Sequence, residues 1–113
     1  MHEIGITENI IAIVLEQAKS ARARRITRIN VVLGEFSGLT DESIAFYFDS
    51  LSENSIAANA SLNFRHLPAR MACSACGKIY PAADPLWRCP ACRSKEAEII
   101  SGHECYVESI EVE

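Results

Sequence analysis

No run of apolar residues in this 113-residue chain is longer than the stretch from Ile10 to Leu15, whereas a bilayer-spanning helix needs about 20. A membrane span is excluded on that ground. A basic surplus is missing as well. Eleven Lys and Arg stand against 15 Asp and Glu, a net charge of −4, which is the opposite of the electrostatic footprint of a general nucleic-acid binder. The first residues lack the basic start and continuous apolar stretch of a secretory signal, because His2, Glu3, Thr7, Glu8 and Asn9 come first and Glu16 interrupts later. A cytoplasmic protein is therefore expected, where thiols stay reduced and cysteines point to metal before disulfides. Repeats and low-complexity tracts are absent, and Gly34-Glu35-Phe36-Ser37-Gly38 lacks the lysine of a phosphate-binding loop. With no nucleophile–base pattern either, the chain does not read as an enzyme.

What is present is a globular composition, 49% hydrophobic and 23% charged, sized for one domain with at most a small appendage. Its charge is unevenly spread. Residues 65–96 hold Arg65, Arg70, Lys78, Arg88, Arg93 and Lys95 against Asp84 and Glu96, a local +4 that leaves the remainder at −8. Four of the five cysteines fall in this segment, together with Pro81, Pro85 and Pro90 and with Pro68 near its start. The shift separates an expected α/β domain, residues 1–68 plus 98–113, from a cysteine-bearing insert, residues 69–97.

Ile4 to about Arg22 reads as a helix, since Ile4, Ile11, Val14 or Leu15, and Ala18 recur at helical steps and Arg22, Arg24 and Arg25 suit its negative end. Ile26 to Leu33 reads as a strand, with Ile29, Val31 and Leu33 alternating with Arg28, Asn30 and Val32. Thr40 can cap a second helix with Asp41 and Glu42 in its first turn and Ile44, Tyr47, Phe48 and Leu51 on its apolar face. Ala60 to Leu67 follows as a strand with Leu62 and Phe64 on one face, and Glu98 to Glu113 as a last strand bent at Gly102. The expected fold is α+β: a small mixed β-sheet packed by two helices, with an inserted zinc-ribbon-like module of four cysteines.

Cys73-Ser-Ala-Cys76 and Cys89-Pro-Ala-Cys92 are two C-x-x-C pairs separated by 12 residues. Two residues between thiolates let a tight turn bring both sulfurs onto one ion, and two such knuckles close a tetrahedral four-sulfur site with no open position. Gly77 follows the first pair, where the backbone often needs a positive φ. Such a site is structural and replaces a core that about 30 residues cannot build alone. Zn²⁺ is the expected ion, with iron in the same geometry, two disulfides or a redox pair as alternatives. Tyr80 and Trp87 are read as an apolar lid over it, with base stacking as the alternative, and Cys105 as a small buried hydrophobe, with a reactive or metal-binding thiol as the alternative. Four thiolates and one zinc contribute −2, so the loaded insert is only weakly basic. A zinc-ribbon adaptor binding nucleic acid or protein is the second functional reading.

Met1-His2-Glu3 offers an α-amine, the His2 amide nitrogen and the His2 imidazole within one stretch. Nitrogen donors in one plane suit Ni²⁺ or Cu²⁺ better than Zn²⁺ or Mg²⁺. A histidine at that place is otherwise an exposed side chain with no task.

Met1-His2-Glu3-Ile4, Leu33-Gly34-Glu35-Phe36-Ser37-Gly38, the two C-x-x-C pairs, Ser101-Gly102-His103-Glu104 and Ser109-Ile110-Glu111 together resemble the hydrogenase nickel-incorporation proteins, the HypA/HybF family, over the whole chain and in the family's order. The resemblance implies a nickel metallochaperone. It would hand Ni²⁺, its transient cargo, to the precursor of the [NiFe]-hydrogenase large subunit, with a maturation GTPase as partner, and some members also serve urease. It implies a nickel site of His2 and Glu3, with Met1 and Asp41 as further candidates, and zinc ligands Cys73, Cys76, Cys89 and Cys92. Neither membrane nor nucleic acid is an expected partner, and a monomer or weak homodimer is expected. Gly77-Lys78 and Arg93-Ser94 stand where some members carry histidines beside the cysteines, and no histidine lies between Cys76 and Cys89. His66 and His103 are the nearest in sequence and read as surface strand residues, so the fourth nickel donor has no assignment.

Overall fold

The computed structural model describes residues 2–82 and 88–113, without the His2 side chain. Their elements are α1 (His2–Ser20), β1 (Ile26–Gly34), α2 (Asp41–Leu51), β2 (Ser61–Leu67), β3 (Arg70–Cys73), β4 (Ile79–Pro81), β5 (Ala97–Ser101) and β6 (Cys105–Val112). The chain forms two compact units, one of residues 1–32, 39–65 and 105–113, the other of residues 33–38 and 66–104. The α+β class is as expected, with the strands divided into two three-stranded sheets, β2-β1-β6 and β4-β3-β5. Among the described residues no helix is long and apolar enough to cross a membrane.

In the first unit α1 packs on α2 and β6. Thr7, Ile10, Ile11, Val14 and Ala18 are its buried stripe. Ile4, expected on that stripe, is 43% exposed. The inner place in the first turns goes instead to Thr7, whose hydroxyl donates to the Glu3 carbonyl at 2.6 Å and so enters the core without an unmet hydrogen bond. The helix ends on Arg22 at φ 55, a left-handed position usually given to glycine, with the Ala23 N–H on the Ala18 carbonyl at 2.9 Å.

β1 alternates as expected at Ile29 and Val31, but Val32 is buried as well, so both faces of its later half are covered. Thr40 caps α2 through a reciprocal box. Its hydroxyl accepts from the Ser43 N–H at 3.1 Å, and the Ser43 hydroxyl accepts from the Thr40 N–H at 3.3 Å. Ile44 and Phe48, one turn apart, are the buried face of α2, while Leu51, expected beside them, is 38% exposed. Full burial of a side chain such as Val14, Ile29, Ile44 or Phe48 contributes about 1.5–3 kcal/mol. On β2, Leu62 and Phe64 share the half-buried face, as the alternation indicated.

The second unit is built on β3, which pairs antiparallel with β4 (Met71 opposite Tyr80) and with β5 (Met71 opposite Ile99, Cys73 opposite Ala97). Met71, Cys73, Tyr80 and Cys89 form its core, with Ala82, Ala97 and Ile99 packed against them. The strand expected from Glu98 to Glu113 is therefore two strands in two sheets, divided at Gly102, whose φ of 122 turns the chain. Since Ile99 packs with the cysteines, this unit is wider than residues 69–97. It also takes in residues 33–38. The Gly34 N–H donates to the Glu104 carbonyl at 2.7 Å, the Phe36 N–H to the Gly102 carbonyl at 2.6 Å and the Glu35 N–H to the Leu67 carbonyl at 2.9 Å. The Glu35 carboxylate accepts from the Ala69 N–H at 2.7 Å. A Cβ on Gly34 would lie 2.2 Å from the Gly102 carbonyl oxygen, so only glycine fits there.

Candidate metal centre

Each cysteine pair sits in a tight loop stabilised by the same two backbone bonds. In the first, the Gly77 N–H donates to the Cys73 carbonyl at 2.9 Å and the Cys73 N–H to the Lys78 carbonyl at 2.9 Å. In the second, the Arg93 N–H donates to the Cys89 carbonyl at 2.8 Å and the Cys89 N–H to the Ser94 carbonyl at 3.0 Å. Both loops need a left-handed residue directly after their second cysteine. Gly77 supplies it at φ 80 and Arg93 at φ 64. The Gly77 requirement was legible in the sequence, whereas an arginine gives no signal of it.

The loops bring the Sγ atoms of Cys73, Cys76, Cys89 and Cys92 to within 4.8 Å of one another. Cys73 and Cys92 are 3.5 Å apart and Cys76 and Cys89 3.6 Å apart, sulfur to sulfur. A tetrahedron with metal–sulfur bonds of about 2.3 Å has edges of about 3.8 Å, so the spacing fits one four-coordinate ion. All five cysteines are free thiols, Cys73 and Cys89 buried, Cys76 and Cys92 exposed.

Backbone donors surround the sulfurs. The Cys76 N–H points at the Cys73 sulfur and the Ala91 N–H at the Cys89 sulfur, each at 3.4 Å. Lys78 and Ser94 supply the matching N–H groups to Cys76 and Cys92. The N–H of Cys76 is the main reason the Cys73 thiol titrates below the usual range. Burial pushes the Cys89 thiol up, but the N–H groups of Cys92 and Ala91 and the adjoining thiols bring it down to about 6. The Ser94 N–H pulls the Cys92 thiol down, yet Cys73 and burial outweigh it and push it up to about 12. Four crowded sulfurs cannot all ionise by themselves. A dication at their centre lets all four be thiolates, which is the donor set a closed four-sulfur site requires.

Tyr80, expected as lid, is 3% exposed beside Cys73 and Cys89, and its hydroxyl has no hydrogen-bond partner. The other lid residue, Trp87, lies outside the described residues. Cys105 is half-buried on β6, where desolvation pushes its thiol up.

Of the expected nickel residues, Met1 and the His2 side chain lie outside the described residues. The backbone of His2 opens α1 and Glu3 follows in its first turn. The first four N–H groups of a helix have no acceptor within it, so the amides of both residues are free of the helix ladder. Asp41 is the first residue of α2. His103 is exposed, its ring centroid 6.3 Å from that of Phe36, and His66 is exposed on β2.

A two-unit α+β protein with a four-cysteine cluster spaced to hold one metal ion is thus defined. The chain belongs to the HypA family, whose model, described as hydrogenase/urease nickel incorporation, metallochaperone, matches residues 1–112. It is 41% identical over 113 residues to the hydrogenase maturation factor HypA of Dehalococcoides mccartyi, covering 100% of this chain and 95% of that one. The HypA of Caldanaerobacter subterraneus subsp. tengcongensis is 37% identical, with 100% of both chains covered. Among solved structures, the Ni metallochaperone HypA from Helicobacter pylori superposes with a TM-score of 0.70 at 26% identity, over 97% of this chain and 96% of that one. A further solution structure of a HypA protein gives a TM-score of 0.76 at 29% identity, over 99% and 96%. The family is one of nickel metallochaperones in hydrogenase maturation. The protein is a maturation factor and not an enzyme.

Proposed function

We propose that the chain takes up Ni²⁺ at its N-terminus, through the Met1 and His2 nitrogens and the Glu3 amide with Asp41 in the role of a further ligand, and delivers it to the [NiFe]-hydrogenase large-subunit precursor. Zn²⁺ resides on Cys73, Cys76, Cys89 and Cys92 and supplies structural cross-linking of the second unit. The protein works in the cytoplasm, as a monomer or weak homodimer, with a maturation GTPase as partner. The observation that carries this reading is the start of α1 at His2, which leaves the His2 and Glu3 amides without helical acceptors in a chain of the nickel-incorporation family. A four-sulfur cage has no open position through which to pass a cargo on, whereas a chelate at a helix start does.

Nickel binding at such a site needs a neutral imidazole and loss of amide protons, so affinity falls with acid. Titration of tag-free, zinc-loaded protein with Ni²⁺, followed by absorption, is the test. One saturable site with a planar-nickel band is expected, and His2→Ala should remove it while leaving zinc content and fold intact. Unchanged one-to-one binding in that variant overturns the N-terminal assignment. No nickel site in the parent protein would leave the cysteine centre alone and favour the adaptor reading.

A further inference from the structure

Between α2 and β2 runs an open groove of about 320 Å³, the size of a small ligand cleft. Its floor is apolar, made by Phe48 of the helix and Leu62 and Phe64 of the strand. Those two strand side chains stay half-buried, on an edge strand that has no fully buried residue. The space exists because both walls carry alanine, Ala45 on α2 and Ala60 just ahead of β2. A longer side chain at either place would fill it.

The rim has charge of one sign. Asp41, Glu42 and Asp49 line it, and residues 39–64 hold these three and Glu53 with no Lys, Arg or His. Asp41 and Glu42 stand in the first turn of α2, where the positive end of the helix dipole favours them. Asp49 has no such reason. It stands in the last turn, against the negative end, and no basic residue there offsets it. Among the described residues neither Glu42 nor Asp49 is in an ion pair. Phe46 lies between these two carboxylates on the helix surface, four residues after Glu42 and three before Asp49. Its ring is 70% exposed, in an edge-on pair with Tyr47.

We propose that the groove between α2 and β2 docks a basic, amphipathic segment of a partner protein. Apolar side chains of that segment enter between Ala45 and Ala60 onto Phe48, Leu62 and Phe64, while its Lys or Arg side chains meet Glu42 and Asp49. An acidic peptide or a nucleic acid would meet like charge at the rim. A small organic amine would leave Phe46 uncovered, since that ring lies on α2 outside the groove. Helical segments with apolar anchors three and four residues apart and cations beside them match such a surface. Neither nickel nor zinc has a part in this docking, so it stands apart from the metal assignments.

The test titrates the full chain with synthetic peptides of about 15 residues, long enough for a helix. Their anchors are leucine or phenylalanine at helical spacing, and their flanks are lysine. Saturable binding that weakens with salt is expected, with backbone NMR shifts confined to α2 and to residues 60–64. The same peptides with glutamate for lysine, or with alanine for the anchors, should not bind. Glu42→Gln combined with Asp49→Lys should weaken binding about tenfold through lost and reversed charge pairs. Ala45→Leu, which keeps every charge and a good helix former, should weaken it about as much by filling the groove. Unchanged binding in both variants overturns the proposal, as do shifts centred elsewhere or no binding by any lysine peptide. Equal binding of the alanine-anchored peptides overturns it too, because charge alone would then be at work. Concentration-dependent self-association that Ala45→Leu abolishes would give the groove to a second copy of this chain and overturn the partner segment.

Discussion

Arg93 and Gly77 do the same backbone task with unequal means. Both stand one residue after the second cysteine of their pair, at φ 64 and φ 80, and both donate their N–H to the carbonyl of the first cysteine. The left-handed conformation costs a side-chain-bearing residue about 1–2 kcal/mol, and glycine nothing sterically, though glycine has more freedom to lose on folding. Arg93→Gly should therefore raise the stability of the metal-loaded protein by roughly 0.5 kcal/mol, and Gly77→Ala should lower it by about 1 kcal/mol. Denaturant melts of the two variants against the parent protein check both signs, and a destabilised Arg93→Gly would show that the arginine side chain contributes more than its strain costs. At this scale the sequence was informative wherever chemistry dictates residue type, as at the four cysteines and Thr40. It was silent wherever geometry does, as at Arg93, or where burial depends on the partner surface, as at Thr7, which takes an inner place expected of Ile4.

Elements with a long period were legible and short ones were not. α1, β1, α2 and β2 each carry enough residues to repeat a pattern, and their expected bounds lie within two residues of those observed at most ends. β3 and β4 have four and three residues, too few to display alternation, and they arise from pairing across the cysteine loop. The break at Gly102 was expected as a bend. It is a change of sheet, because Ile99 is held opposite Met71 while β6 continues beside β1. Surface pairs join β6 to its own sheet. Arg65 on β2 holds Glu108 on β6 through two bonds of 3.3 and 2.8 Å, and that bond lowers the Glu108 carboxyl below its ordinary value and raises the Arg65 guanidinium. A carboxylate lowered in the folded state adds stability above its unfolded pKa and loses it as pH falls through the folded one. Glu108→Gln should thus melt slightly below the parent protein at pH 7, with the gap closing on acidification below about pH 4. Both partners are about half exposed, so the gap should be small and shrink in high salt. A gap constant from pH 7 to pH 3 would show that the charge of Glu108 has no part in it.

The whole molecule divides its labour between an apolar-cored unit and a unit whose core contains two of its four cysteines. The first holds Val14, Ile29, Ile44 and Phe48 in full burial and has packing of its own. The second has Met71, Cys73, Tyr80 and Cys89, too small an apolar core to stand without a cross-link. If zinc occupies the cysteine site as proposed, Cys73→Ser should lose it and melt the second unit, while the helical circular-dichroism signal of α1 and α2 persists. Full zinc content with an unaltered melting curve in that variant would mean the cage is drawn from the wrong sulfurs. Neither unit is a continuous stretch of chain. The cysteine unit needs Gly34, Glu35 and Phe36 to bond Glu104, Leu67 and Gly102, and the helical unit takes in residues 105–113. During synthesis, then, the ribosome delivers residues 33–38 well ahead of residues 66–104, which they complete, and the helical unit waits for its third strand until residues 105–113 emerge. Neither unit can close before the cysteine segment has been translated, which places a finished metal cage late in the life of the nascent chain and not at its start.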